Sequence, residues 1–355
     1  MGFKIVLAPG GREFTAKPDE TILDAALGQG VVLAYGCKNG ACGSCKATVL
    51  AGDIEQGRHN ASALTDEDRR AGRALLCCAY ARSDLELAAR TVQAVADVPV
   101  RKMPCRVSSI DRISPDVIVL RLQLPANERF QYLAGQYIEL ILRDGTRRPY
   151  SMAVAPGGAD DGLVLHIRHL PGGKLTDALF GVVEPPVKPR DILRFEGPMG
   201  TFFFREDSER PIVLLASGTG FAPIKAIVEQ AIAREVERPM TLYWGGRRPQ
   251  DLYMISLAQE WSQSLPNLDF VPVVSDAQPA DHWSGRSGLV HRAVMADFPD
   301  LAGHDVYACG APAMVEAAKR DFIAERGLPS DRFFADAFTT TADIAASDES
   351  RASPP

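Results

Sequence analysis

The chain has 355 residues, 46% hydrophobic and 24% charged, which excludes global disorder and sets a length prior of about two or three domains. With 39 Lys+Arg against 45 Asp+Glu the formal net charge is −6, without the basic excess of a nucleic-acid binder, so no nucleic-acid partner is expected. No run approaches the roughly 18 apolar residues of a membrane span.

The opening MGFKIVLAPGG has neither an h-region nor a cleavage site, and Val6 stands where a myristoylation signal needs Ser or Thr. A cytoplasmic protein is expected. Seven cysteines, five of them from Cys37 to Cys78, do not read as a disulfide scaffold.

In chain order, the apolar run 3–7 stops at Pro9-Gly10-Gly11 and predicts a hairpin strand, with 13–16 returning. Residues 21–28 have helical apolar spacing, a cap at Asp19 or Thr21 and a terminating Gly28. A Gly- and Cys-rich loop over 36–45 has no periodicity. Thr65-Asp66-Glu67-Asp68 reads as a capping box before a short helix to Gly72, and 84–87 alternates like a closing strand. Residues 97–104, with two prolines, read as a linker.

From 105 to about 207, alternating runs at 117–122, 137–142 and 163–168 separated by Gly/Pro turns predict a small antiparallel barrel. After Pro211 the rhythm becomes buried strand, turn, helix. Strands are expected at 212–216, 240–244, 268–274 and 305–308, with helices at 224–235 and 312–326, the layout of a parallel α/β domain. The small, polar segment 339–355 reads as a disordered tail.

Cys37, Cys42 and Cys45 form C-x4-C-x2-C, and Cys77 follows after 31 residues, the plant-type spacing for a [2Fe–2S] cluster on four thiolates. Gly36, Gly40 and Gly43 let backbone N–H groups approach the sulfurs. Zinc is the competing reading, but zinc sites favour paired short knuckles. By count alone either Cys77 or Cys78 is the fourth ligand.

Arg148-Pro149-Tyr150-Ser151 puts a guanidinium, a flat aromatic and a hydroxyl on one extended segment, although a surface arginine on a barrel strand reads the same way. Gly172-Gly173-Lys174-Leu175-Thr176 opens a helix whose bare N–H groups suit a pyrophosphate. Gly218-Thr219-Gly220-Phe221-Ala222-Pro223 lies between a buried strand and a helix, where a pyridine dinucleotide fits. An isolated strand-end cysteine such as Cys309 is ordinarily structural.

The order of these motifs resembles that of the ferredoxin–NADP reductase superfamily. Residues 148–151 resemble its R-x-Y-S, 197–202 its G-P-x-G-x-F turn near the nucleotide cleft, 218–223 its G-T-G-x-A-P and 309–314 its C-G-x-P-x-M. The segment LLCCAYARSD at 75–84 is similar to the plant-type ferredoxin segment in which Leu-Thr-Cys precedes Ala-Tyr and Ser-Asp. That register selects Cys77, leaving Cys78 and Cys105 as small buried side chains. The resemblance covers nearly all of residues 1–338.

It implies a multidomain chain: an α+β β-grasp ferredoxin domain over 1–96, an antiparallel β-barrel flavin domain over 104–207 and an α/β parallel-sheet nucleotide domain over 208–338. It implies that Arg148 meets the flavin phosphate, Tyr150 packs on the ring and Ser151 approaches the reactive flavin nitrogen. Pro149, His166, Arg168, Gly172, Gly173 and Thr176 complete the FAD site. Gly218, Thr219, Gly220, Pro223, Arg247, Cys309 and Gly310 take the dinucleotide, with Cys309 beside the nicotinamide carbon that gives hydride. Phe338 falls near the flavin's nicotinamide face. Cys37, Cys42, Cys45 and Cys77 hold the cluster.

The activity implied is an NAD(P)H-dependent oxidoreductase that passes a hydride to FAD, which converts it into single-electron transfers through the cluster. Ser151 and Cys309 are its catalytic residues, and no acid–base dyad is needed. An arginine at 247 or 248 would suit the 2′-phosphate of NADPH, but relatives mostly use NADH, which is the coenzyme expected.

The electron acceptor implied is a partner protein. The stretches TILDAAL, GACGSCKA, QYLAGQYIEL, EGPMGTFF, GTGFAPIKA, VPVVS and VYACG are similar to the CDP-6-deoxy-Δ3,4-glucoseen reductase type, which serves an iron–sulfur dehydrase in dideoxysugar synthesis. The alternative is a reductase component of a multicomponent mono- or dioxygenase. A redox-sensing module without turnover is a third class, against which the intact nucleotide motifs argue. Residues 1–96 carry 11 Lys+Arg and 11 Asp+Glu, so partner docking by shape and apolar contact is expected rather than by charge steering.

Overall fold

The computed structural model describes residues 2–92, 95, 98–157 and 162–338. The chain divides into two compact units, 1–99 with 200–202 and 336–355, and 100–199 with 203–335. The segment 339–355, expected to be a disordered tail, lies outside the described residues. Among the described residues no helix is long and apolar enough to cross a membrane.

In the first unit, β1 (Phe3–Ala8) and β2 (Arg12–Ala16) form the expected hairpin, paired from Phe3↔Ala16 to Leu7↔Arg12. Helix α1 (Ile22–Gly28) begins at Thr21, whose Oγ1 accepts the Asp24 N–H at 3.1 Å. It is capped at Gln29, so the left-handed residue that turns the chain is Gly30 (φ +73°) rather than Gly28. Then follow β3 (Lys46–Ala51), β4 (Ile54–Gln56), α2 (Asp66–Arg70), β5 (Arg73–Leu75), β6 (Ala79–Ala81) and β7 (Leu85–Ala88).

The main sheet runs β2-β1-β7-β3-β5, and β4 pairs with β6. Strand β7, the expected closing strand, lies parallel to β1 and antiparallel to β3, so it takes the central place in the sheet. Alternation along the strands sends Ile5, Leu7, Phe14, Leu85 and Leu87 into one core with Ile22 and Leu23 of α1. Each such side chain contributes roughly 1.5–3 kcal/mol by burial. This sheet wrapped on a helix is the β-grasp arrangement.

The second unit holds two sheets. The antiparallel one comprises β8 (Arg101–Arg112), β9 (Val117–Gln123), β10 (Tyr137–Ile141), β11 (Arg147–Ser151), β12 (Leu163–Arg168) and β13 (Ile192–Met199), with α3 (Lys174–Leu179) between the last two. Its order is β11-β10-β13-β8-β9-β12, and the bridge Met152–Leu165 brings the two edges together into a barrel. Residues 101–104, expected in the linker, belong to β8 and pair with β13. Pro104 is tolerated because there the strand has a partner on one side only, pairing with β9 starting at Arg106.

The parallel sheet is built from β14 (Ile212–Ser217), α4 (Phe221–Ala233), β15 (Met240–Gly246), α5 (Ile255–Ser264), β16 (Leu268–Val274), β17 (Arg286–Ser287), α6 (Val290–Asp297), β18 (Asp305–Gly310), α7 (Pro312–Arg326) and β19 (Phe333–Ala337). Its order is β17-β16-β15-β14-β18-β19, with β14 parallel to both β15 and β18. The order reverses between β14 and β18, so a crevice opens past their carboxyl ends, where such folds bind ligands. The ends are Ser217-Gly218 and Cys309-Gly310.

Candidate redox sites

The loop between α1 and β3 carries three of the four expected cluster ligands. Its backbone points N–H groups at sulfur: Ala41 and Cys42 donate to Cys37 Sγ at 3.4 and 3.3 Å, and Cys37 donates to Cys42 Sγ at 3.4 Å. Gly40 is left-handed (φ +77°), and a Cβ there would sit 2.9 Å from the Arg58 carbonyl oxygen. Pairing of Lys46 with Leu75 across β3 and β5 brings Cys45, one residue before that pair, and Cys77, two residues after it, into one buried corner.

The thiols interact in pairs. A hydrogen bond from Cys37 draws the Cys42 thiol below its ordinary range, and bonds from Cys45 and Cys78 do the same for Cys77. A Cβ at Gly36 would lie 3.2 Å from Cys42 Sγ, so glycine leaves room beside the sulfur. Cys37 and Cys45, the donors in those two pairs, are pushed the other way, up from the ordinary thiol range. Four thiols paired this closely, with N–H donors aimed at sulfur, fit a [2Fe–2S] cluster. Cys78 has a different surrounding: its sulfur accepts from Gln56 Nε2 at 3.2 Å. Gln56, which belongs to no motif, also bonds the N–H and C=O of Leu75, at 3.0 and 3.3 Å, and so holds the turn before Cys77.

In the barrel, Arg148, Pro149, Tyr150 and Ser151 lie along edge strand β11, where a proline costs no ladder bond. Tyr150 packs on the barrel core, and burial pushes its phenol up to about 12. Ser151 is buried. The turn at 172–176 is more occupied than expected. Gly172 N–H donates to Asp177 Oδ2 at 3.1 Å, Gly173 N–H to the Leu170 carbonyl at 2.9 Å, and the Thr176 hydroxyl to that carbonyl at 2.8 Å. The N–H groups expected to be bare are therefore engaged, and α3 is only six residues long.

Two residues of β12 face the nucleotide half of the same unit. His166 Nδ1 meets Tyr253 Oη at 2.9 Å while its Nε2 is buried without a partner, and burial, with Lys225 and Arg121 adding, lowers its pKa to about 3. Arg168 lies against the Gly218 turn, 3.1 Å from a Cβ built there. Its Nε is 3.1 Å from Asp116 and its terminal nitrogen 3.8 Å from Asp251, yet neither buried nitrogen is aligned for a hydrogen bond. An anionic group at this turn would find N–H donors waiting.

At the crevice, Gly220 and Gly310 let two backbones touch. A Cβ on Gly220 would be 2.2 Å from the Cys309 carbonyl oxygen, and one on Gly310 2.2 Å from Ser217 Oγ. Trp244 fixes the turn from behind, donating to the Gly218 carbonyl at 3.1 Å and stacking on Phe221 at 3.8 Å. Thr219 sits within the turn and Pro223 in the first turn of α4. Arg247 and Arg248 line a cleft with Asp116, Asp251 and Asp276. Arg248 is held by Asp281 in a bidentate pair at 2.6 and 2.7 Å. Phe338 directly follows β19 and is half-buried.

Comparison with known proteins bears on these sites directly. The 2Fe-2S iron-sulfur cluster binding domain family matches residues 5–82, the oxidoreductase FAD-binding domain family 104–204 and the oxidoreductase NAD-binding domain family 214–320. A CDP-6-deoxy-L-threo-D-glycero-4-hexulose-3-dehydrase reductase of Yersinia pestis is 43% identical over 95% of this chain and 99% of its own. The chain belongs to the ferredoxin–NADP reductase family. This reductase is also 36% identical, over 92% of its length and 94% of the relative's, to the terephthalate 1,2-dioxygenase reductase component 2 of Comamonas. The crystal structure of the Amycolatopsis cytochrome P450 reductase GcoB superposes with a TM-score of 0.73 at 35% identity, covering 95% and 99% of the two chains. The chain is an NAD(P)H-dependent oxidoreductase of the NADH, FAD and [2Fe–2S] electron-transfer type, serving a partner protein.

Proposed function

We propose that this reductase delivers electrons to an iron–sulfur dehydrase acting on a CDP-6-deoxyhexulose. The observation that carries the reading is collinear similarity to the Yersinia reductase, 43% over nearly the whole of both chains. An oxygenase component is the second reading, favoured by the 36% identity to the terephthalate dioxygenase reductase. Steady-state NADH oxidation with each purified acceptor tests the choice. Acceleration by the dehydrase with its sugar nucleotide is expected, and acceleration by an oxygenase component alone would reverse it. A redox sensor without turnover would fail to reduce cytochrome c with NADH.

FAD, when bound, takes two electrons as hydride and releases them singly. Arg148 balances its phosphate charge, Tyr150 and Pro149 present a flat face, and Ser151 offers a hydroxyl to the ring. Gly172, Gly173 and Thr176 shape the turn beside it, His166 brings a buried Nε2 without a hydrogen-bond partner, and Arg168 brings a guanidinium held by ion pairs with Asp116 and Asp251. Gly218, Thr219, Gly220, Pro223 and Gly310 form the crevice for the coenzyme, Cys309 aligns its nicotinamide, and Phe338 stands at the sequence position where relatives have an aromatic near the flavin's nicotinamide face. Cys37, Cys42, Cys45 and Cys77 hold the cluster.

NADH is the coenzyme in this reading. Its adenosine end lies in the cleft of Arg247, where a 2′-phosphate would meet three carboxylates while Arg248 is already neutralised by Asp281. A higher kcat/KM for NADPH than for NADH would overturn the assignment. Functionally we divide the chain at 1–96, 104–207 and 208–338. We assign it to the cytoplasm, consistent with seven cysteines none of which is in a disulfide.

A further inference from the structure

The residues that precede the first cluster ligand are pinned by a part of the chain far away in sequence. Tyr35 N–H donates to Thr201 Oγ1 at 2.9 Å, Thr201 Oγ1 donates to the Tyr35 carbonyl at 2.9 Å, and Thr201 N–H reaches the same carbonyl at 3.0 Å. Both side chains are buried. The residues just upstream are fixed separately: Ala34 N–H donates to the Arg90 carbonyl and Val92 N–H to the Val32 carbonyl, both at 2.8 Å. At Gly36 a Cβ would lie 3.2 Å from Cys42 Sγ and 3.3 Å from Asp336 Oδ1, so the next peptide has little slack. Cys37 follows at once.

Thr201 is also two residues past Met199, the end of β13, a strand of the barrel that carries the flavin motifs. Within the first unit, one hydrogen-bonded step thus leads from Thr201 to Tyr35 and along Gly36 to Cys37. We propose that the Thr201 hydroxyl is a positioning group that fixes the Tyr35–Gly36 backbone against the cluster and sets the rate at which the cluster is reduced. In that step one electron leaves the reduced flavin and one ferric ion becomes ferrous, with no bond made or broken. The proposal deepens the reading of Cys37 as a cluster ligand and rests on it.

The test uses the full-length holoenzyme. Thr201→Val keeps the shape but removes the hydroxyl, and Thr201→Ser restores it. In anaerobic stopped flow with NADH, T201V should bleach its flavin at the wild-type rate and reduce its cluster about tenfold more slowly. T201S should lie within about twofold of wild type in both phases. The EPR spectrum of dithionite-reduced T201V should keep the wild-type spin count with broadened features, since the ligand backbone is less sharply held. If T201V does not retain its cluster, Thr201→Ala, which keeps the backbone bond to Tyr35, gives the same kinetic comparison. Wild-type cluster reduction in the hydroxyl-free variant overturns the proposal. Absence of any reduced-cluster signal in the wild-type protein would instead remove the ligand assignment beneath it.

Discussion

Replacing Gly220 by alanine is the sharpest test of the crevice between β14 and β18. The added Cβ would lie 2.2 Å from the Cys309 carbonyl oxygen, 2.5 Å from its carbon and 2.6 Å from Gly310 Cα. Ordinary carbon contacts fall at about 3.5–4.0 Å, so each gap is short by roughly 1 Å or more, and every atom met is backbone. No side chain can swing aside; the turn and the end of β18 must part. Overpacking of this kind costs about 1–3 kcal/mol, and a displacement near 1 Å at a reacting centre costs on the order of 100-fold in rate. G220A should therefore melt a few degrees lower and reduce its flavin with NADH about 100-fold more slowly, while dithionite still gives a normal cluster spectrum. Gly303→Ala, whose Cβ meets nothing within 4 Å, is the control and should change neither. Wild-type melting and NADH-driven flavin bleaching in G220A would refute the steric argument.

Three further outcomes follow from particular side chains. Cys77→Ser should lose most acid-labile sulfide and Cys78→Ala should retain it; the reverse pattern would exchange the fourth ligand. His166 has its pKa lowered to about 3 by burial, so the unfolded chain takes up a proton that the folded chain refuses. Its contribution to stability is full above about pH 6.5 and is lost as pH falls towards 3, by at most a few kcal/mol. His166→Gln should flatten the urea-unfolding free energy over that window, and an unchanged slope would contradict a neutral buried imidazole. Thr65→Ala removes the reciprocal cap of α2, in which Thr65 Oγ1 accepts Asp68 N–H and the Asp68 carboxylate accepts Thr65 N–H, both at 3.1 Å. A loss of about 1 kcal/mol is expected by urea unfolding, with Thr65→Ser nearly neutral.

What could be read in advance was chemistry concentrated in short strings. The cysteine spacing, the capping box at Thr65 and the buried strand 212–216 each express a local rule, and each reappears in the fold. Strand β8 escaped because Pro104 argues against a strand, and only the ladder shows that its missing N–H falls where a neighbour is absent. The central place of β7 is likewise invisible locally, since alternation reports a half-buried strand and not its rank in the sheet. At the sites, Arg148 to Ser151 and the Gly218 turn stood out, but the partners that orient them did not. Tyr253 on His166, Asp116 and Asp251 around Arg168, Gln56 before Cys77 and Thr201 on Tyr35 are tertiary pairs between distant residues of unremarkable type. The turn at Gly172 shows the opposite error: its glycines suggested bare N–H groups, and Asp177, just past the string that stood out, takes one of them.

The central claim is that electrons entering as hydride leave through a cluster on Cys37, Cys42, Cys45 and Cys77. Rapid-freeze EPR of the anaerobic holoenzyme mixed with NADH tests it directly. A rhombic spin-one-half signal of a reduced [2Fe–2S] cluster should grow in after the flavin bleaches, approaching one spin per chain. Complete flavin reduction with no such signal at any delay would contradict the account.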